Sequence, residues 1–407
     1  MNPVSSTCPP SLSGLDVRPT LPRTVYLVAL GAFALGMASY VMAGLIPLVQ
    51  AAFDVPVALA AQLVTAFTLA YGLGSPVIVA LIPARRQRAA LLAALALFVL
   101  ANAGSALATG FSWLLAFRAL AGVGSGVYLA AGIAASAAVC PAALRGKAIA
   151  VIMGGMASGT VLGVPMGLVL AEKLGWASAL WLVTALGACA LVGLAKRLPP
   201  LPADDAPLRR KLALLGDGRV LTILMVSLLA AVASLGMYTF IAPLLQSPDH
   251  GAVTSIAPYL WVWGLGGIAG SVLVAPLAVR MRGPVLALWI MAALSAALVL
   301  LPLASSLHPW LALAPIALWG AAGWALQVPQ NSELIAARAA QGDGNLAVAL
   351  NESALYLGSA IGAAAGGLLL ALQWPVGRLA FTAALLGVAG TLLQALQVRR
   401  SARSRAA

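Results

Sequence analysis

Acidic residues are scarce in this 407-residue chain: ten Asp and Glu stand against 23 Lys and Arg, with only two His. Catalysis needs a nucleophile, base and ligands gathered in one place. So few candidates, with His250 and His308 both in short polar breaks, argue against an enzyme. Cysteine is scarcer still. Cys8, Cys140 and Cys189 show no paired spacing and no neighbouring His, so neither a disulfide framework nor a zinc site is supported, and no cofactor is expected. Charged residues make up only 8% of the chain, which rules out an ordinary soluble domain. The formal charge of +13 raises the question of nucleic acid. A nucleic-acid surface gathers its cations on one wet face, however, and here they are scattered between hydrophobic runs, so no such partner is expected.

What is present is hydrophobicity: 62% of residues are apolar, and mean hydropathy is +1.02. Apolar segments long enough to span a bilayer fall at 24–50, 57–82, 89–109, 111–139, 147–171 and 176–195, then at 219–246, 253–279, 284–305, 309–337, 345–371 and 376–398. Twelve spans in two sets of six are expected, making an all-α membrane protein. Residues 1–23 form a polar tail, 24–195 the first half, 196–218 a linker, 219–398 the second half and 399–407 a basic tail. The run after the first tail is too long for the core of a cleavable signal peptide, so it reads as a retained first helix.

Alternate connections hold 20 of the 23 basic residues, while the opposite set holds only Lys173 and Arg378. Positive residues near helix ends stay on the cytoplasmic side. Both termini are therefore expected in the cytoplasm, with the chain in a bacterial inner membrane. In the proline-rich linker, 208–215 reads either as an amphipathic helix held by anionic lipid or as a solvated loop.

An internal repeat joins the two sets. Pro47-Leu48-Val49-Gln50 recurs as Pro243-Leu244-Leu245-Gln246, and Tyr71-Gly72-Leu73-Gly74 as Trp263-Gly264-Leu265-Gly266. Gly159, Gly163 and Gly167 recur at one offset as Gly358, Gly362 and Gly366. Six spans per half give both halves the same orientation, the parallel repeat of an alternating-access carrier with its substrate near the midplane. Glycines at spacing four let helix backbones approach closely, and Pro165 removes a hydrogen bond and allows a bend, so these seven positions are candidate packing and hinge residues.

These residues resemble the major facilitator superfamily, and within it the drug:proton antiporter branch of arabinose-efflux-type permeases. The resemblance covers about residues 24–398. It rests on Arg118 with Gly122 and Gly124 in helix four, on Gly159 through Gly163-Val164-Pro165 to Gly167 in helix five, and on Gly175-Trp176 after it. Leu35-Gly36 and Gly44-Leu45-Ile46-Pro47 in helix one and Ala349-Leu350-Asn351-Glu352 in helix eleven read alike. Two features depart from the family pattern. The loop Pro83-Ala84-Arg85-Arg86 lacks the usual Asp, and Ser39 lies where many relatives carry a helix-one Glu. The resemblance implies proton-coupled efflux of a small amphiphilic compound, with an uptake symporter or facilitator as the alternative. It also implies that Tyr40, Gln62, Thr65, Tyr238, Trp324 and Gln327 lie on cavity-lining helices.

An ionisable group within a span costs about 2.5–3.5 kcal/mol on insertion scales, so each is a functional candidate. Arg118 is expected to face the cavity or to brace neighbouring helices. Glu352, beside Asn351, is the first candidate for the proton carrier and Glu333 the second. Since Arg118 is the one formal charge deep in the first half, the cavity is expected to disfavour cations unless a glutamate reverses the field. Substrate, protons and membrane lipid are the expected partners of a monomer.

Overall fold

The computed structural model describes residues 21–83, 86–141, 144–199, 214–341 and 344–406. Most of 208–215 and all of 1–20 lie outside them. Among the described residues, twelve helices are long and apolar enough to span a membrane. They are α1 (Arg23–Phe53), α2 (Val57–Val79), α3 (Gln87–Ala106), α4 (Phe111–Val139), α5 (Arg145–Leu174), α6 (Ala177–Arg197), α7 (Gly218–Thr239), α8 (Ala257–Arg280), α9 (Gly283–Leu307), α10 (Pro309–Ala337), α11 (Leu346–Ala371) and α12 (Val376–Arg399). Helices are the expected solution in hydrocarbon, because each satisfies its own backbone polar groups. The last helix continues into the basic tail as far as Ala406.

Proline shapes two spans. Pro165 cannot donate to the carbonyl four residues back, and its ring would crowd it. The chain answers with a wider π turn over Gly159–Gly163, just ahead of the proline. A second π turn, Ala70–Gly74, precedes Pro76 in α2. Such turns absorb one extra residue without breaking the helix.

The pairing of helices repeats between halves. α1 packs on α5 and α6, α3 lies between α4 and α6, and α2 packs on α4; likewise α7 packs on α11 and α12, α9 between α10 and α12, and α8 on α10. The halves meet where α2 faces α11 and α5 faces α8. The glycine ladders make the tightest seams. A Cβ on Gly159 would collide with the Phe33 carbonyl of α1, and one on Gly358 would lie 2.6 Å from the Leu228 carbonyl of α7. In each half the ladder seats one helix on its neighbour within that half.

Inter-half contacts run along the α2–α11 seam as far as Gly72 and Ser353, and others lie toward the end opposite the basic loops. There Ser255 donates to Glu172 at 2.7 Å, Gly367 lies against Gln62 and Ala58, and Gly264 against Val161. At the basic end the halves part around a cavity. Both ion pairs among the described residues lie at the basic end of the second half: Arg219–Glu333 at 2.9 Å, and Arg338 with Asp217 at the end of the linker at 3.1 Å.

Candidate functional site

The cavity has a volume of about 520 Å³ and reaches from the aromatic centre of the bundle to Ser332 near the basic end. Its roof is a cluster of rings. Tyr40 meets Tyr238 edge-on at 5.5 Å, Tyr238 lies 4.6 Å from Trp263, and Trp324 stands T-shaped to Trp263 at 6.1 Å. The indole of Trp319 is fixed behind them by donating to the Ser234 hydroxyl at 2.7 Å. Across the α2–α11 seam, Tyr71 stacks on Tyr356 at 3.5 Å. Above the roof, Ser39, Thr68, Tyr238, Thr239, Tyr356 and Ser359 border a space of about 10 Å³, room for about one water.

The walls differ in chemistry. From the first half come Tyr40, Met153, Met156, Ala157 and Thr160. From the second come Ser227, Ser234, Trp263, Trp324, Gln327, Gln330, Asn331, Asn351, Glu352 and Tyr356. Asn351 donates to the Asn331 side-chain oxygen at 2.9 Å. Gln330 Nε2 and Asn351 Oδ1 have no protein partner, which leaves hydrogen-bonding capacity in this wall. Among the described residues, Glu352 is the one carboxylate lining the cavity, and no Lys or Arg lines it.

Five of the candidates from sequence thus share the cavity: Tyr40, Trp324, Gln327, Asn351 and Glu352. Tyr238 belongs to the roof. Gln62 lies outside, donating to Ala58 O at 3.1 Å near the opposite end. Thr65 also lies outside, its buried hydroxyl without a protein partner. Glu333 is tied to Arg219 at the basic end rather than turned inward.

Arg118 corrects the expected field. It is fully buried outside the cavity, donates to Ala38 O at 2.9 Å, and holds its guanidinium carbon 4.4 Å from the Phe67 ring centre. The cation thus ties α4 to α1 and α2, and among the described residues the acidic side chain lining the cavity is Glu352. Sequence reasoning missed Trp263, Gln330, Asn331 and Tyr356 as lining residues. Tyr356 follows Glu352 by four positions and so shares its helix face. Gln330 and Asn331 continue the polar run opened by Gln327.

Residues 28–345 match the family model for the Major Facilitator Superfamily. The chain belongs to that superfamily. It is 30% identical over 347 residues to the inner membrane transport protein YdhP of Escherichia coli O157:H7, covering 84% of this chain and 87% of that one. It is also 32% identical over 272 residues to the chloramphenicol resistance protein of Streptomyces lividans, covering 66% of this chain and 69% of that one. The solved D-xylose-proton symporter has the same fold, with a TM-score of 0.74 at 18% identity over 92% of this chain and 97% of that one. This major facilitator protein is a multi-pass membrane transporter rather than an enzyme, an all-α bundle of two six-helix halves.

Proposed function

We propose that this transporter is a proton-coupled efflux carrier of the inner membrane, in the drug:proton antiporter branch, with both termini in the cytoplasm. The observation that carries the coupling is Glu352, an acid within a membrane span that faces the cavity, where no Lys or Arg stands among the described lining residues. Such a group takes a proton when its cavity faces the acidic side and releases it when the cavity faces the other. The basic end is cytoplasmic by the distribution of Lys and Arg, so the conformation described has its cavity toward the cytoplasm, ready to load substrate. Efflux as the direction is supported by the resistance protein among its relatives.

The substrate fits between ring faces and a wall of amides. Trp324 and Tyr40 offer flat apolar contact and Gln327, Gln330, Asn331 and Asn351 offer hydrogen bonds, which suits a small amphiphilic molecule carrying an aromatic ring. With Glu352 the only acidic or basic side chain lining the cavity among the described residues, neutral and singly cationic compounds are favoured over anions.

The test is accumulation of a compound panel, chloramphenicol among it, in inside-out vesicles with and without an acidic lumen. At least one neutral or cationic aromatic compound should accumulate only with the gradient. Export driven in the opposite direction would make the protein a symporter. Transport indifferent to the gradient would make it a facilitator.

A further inference from the structure

We propose that a groove on the membrane-facing surface between α1 and α6 binds an anionic phospholipid. One acyl chain lies in the groove and the phosphate rests on Lys196 and Arg197. The groove has a volume of about 620 Å³ and is lined by Leu27 of α1 and by Ala188, Cys189, Val192 and Gly193 of α6, with Lys196 and Arg197 at its basic end. Its floor is low because Gly193 carries no side chain: a Cβ there would lie 2.6 Å from Leu27 Cδ2. Val192 is 54% exposed, so the trough opens toward lipid and not toward the substrate cavity. From Ala188 to Arg197 the helix rises about 13 Å, close to half of the roughly 30 Å hydrocarbon thickness. The groove therefore has the depth of one leaflet and ends in cations at the headgroup level.

Charge selects the headgroup. Lys196 and Arg197 are exposed, and neither forms an ion pair among the described residues. Arg88 of α3 donates to Ala195 O of the same last turn of α6 at 3.2 Å. Arg23, exposed at the start of α1, stands one turn before Leu27. The two cations at the groove mouth, with Arg88 and Arg23 at the same end of the neighbouring helices, attract an anionic headgroup, whereas a zwitterionic lipid brings no net charge to them. A helix from another protein would use the apolar trough but would leave the cations unanswered. The bound chain braces α1, the helix that carries Tyr40 and the carbonyl held by Arg118.

Cys189 gives a readout inside the groove, since it is exposed while Cys140 is buried. The full chain, with Cys8→Ser to leave one reactive thiol, is purified in neutral detergent and mixed with phosphatidylglycerol, phosphatidylcholine or glycerol phosphate. Thermal unfolding and the rate of Cys189 alkylation are then measured. Phosphatidylglycerol at four times its dissociation constant leaves one fifth of grooves free, so alkylation should slow about fivefold and the unfolding temperature should rise. Phosphatidylcholine and glycerol phosphate should do neither. Lys196→Gln with Arg197→Gln should lose both effects, and Val192→Trp, which fills the trough with the cations intact, should lose them too. Arg280→Gln with Arg282→Gln, at a basic loop elsewhere, should keep them. Equal protection by phosphatidylcholine, an undiminished response in the Lys196/Arg197 variant, or stabilisation without slower alkylation would each overturn the site. None of these outcomes depends on the direction or coupling of transport.

Discussion

Met153 of α5 and Glu352 of α11 hold equivalent places in the two repeats, because the offset that relates Gly159 to Gly358 also relates them. Both face the cavity, one with a thioether and the other with a carboxylate. One turn on, Ala157 corresponds to Tyr356, and both again line the cavity. The first half thus supplies a soft apolar wall, and the second supplies amides, indoles and the acid. The scaffold is symmetric and the chemistry is not. In such a carrier the backbone seams need to match for the halves to rock together, while the side chains that read the substrate are free to concentrate on one side.

The symmetry of the scaffold can be broken most severely at the ladders. Gly159→Leu and Gly358→Leu should each cost upwards of about 3 kcal/mol, since a side chain is driven into the backbone of the neighbouring helix. Yield of monodisperse protein after detergent extraction should collapse for both. Tolerance of one would show that the two seams are not equivalent.

The asymmetry of chemistry predicts an unequal response to wall truncation. Trp324→Ala removes a ring that rests on Gly267 and faces the cavity. It should raise the half-saturation constant by about tenfold, in line with about 1.4 kcal/mol for an aromatic contact. Met153→Ala should change it by about twofold or less, because a flexible apolar side chain is readily replaced. Gly267→Ala should act like Trp324→Ala by displacing the indole; equal effects of the two walls would remove the distinction between halves.

Smaller effects are expected at the basic end. Glu333→Gln and Arg219→Gln break a pair whose Arg is 56% exposed, so each should cost less than about 1 kcal/mol and leave the pH-gradient response intact. Asp217 is the subtlest case. Burial alone would raise its carboxyl, but the N–H groups of Arg219 and Val220 and the guanidinium of Arg338 together hold it below its usual range. A depressed carboxylate stabilises fully at neutral pH and loses that contribution only as pH falls below about 3.9 toward its folded value. The difference in unfolding temperature between wild type and Asp217→Asn should therefore be present at pH 7 and shrink only in strong acid.

The spans and the two-half repeat were legible because bilayer thickness fixes the length of an apolar run and glycine marks backbone approach. Which way each side chain turns was much less legible. These helices are apolar on nearly every face, so hydropathy does not say which face meets the cavity. Hydropathy therefore leaves Gln62, Thr65 and Arg118 open between the cavity and a packed face, and all three lie outside the cavity, Arg118 as a brace between helices. Arg118 in particular satisfies part of its guanidinium on a carbonyl of α1, a contact between residues 80 apart that no local pattern announces. Glu352 and Asn351 were findable because polar residues are rare in such helices. The ion pairing of Glu333 was not, since it depends on where the start of α7 lies.

The most direct test of one-sided coupling is pH-gradient-driven transport by Glu352→Gln beside Glu333→Gln in the same inside-out vesicles, with substrate exchange measured in the absence of a gradient. Glu352→Gln should lose gradient-driven accumulation while retaining exchange, and Glu333→Gln should keep both. Full gradient-driven accumulation by Glu352→Gln would contradict the assignment of the coupling proton to the carboxylate of the second half.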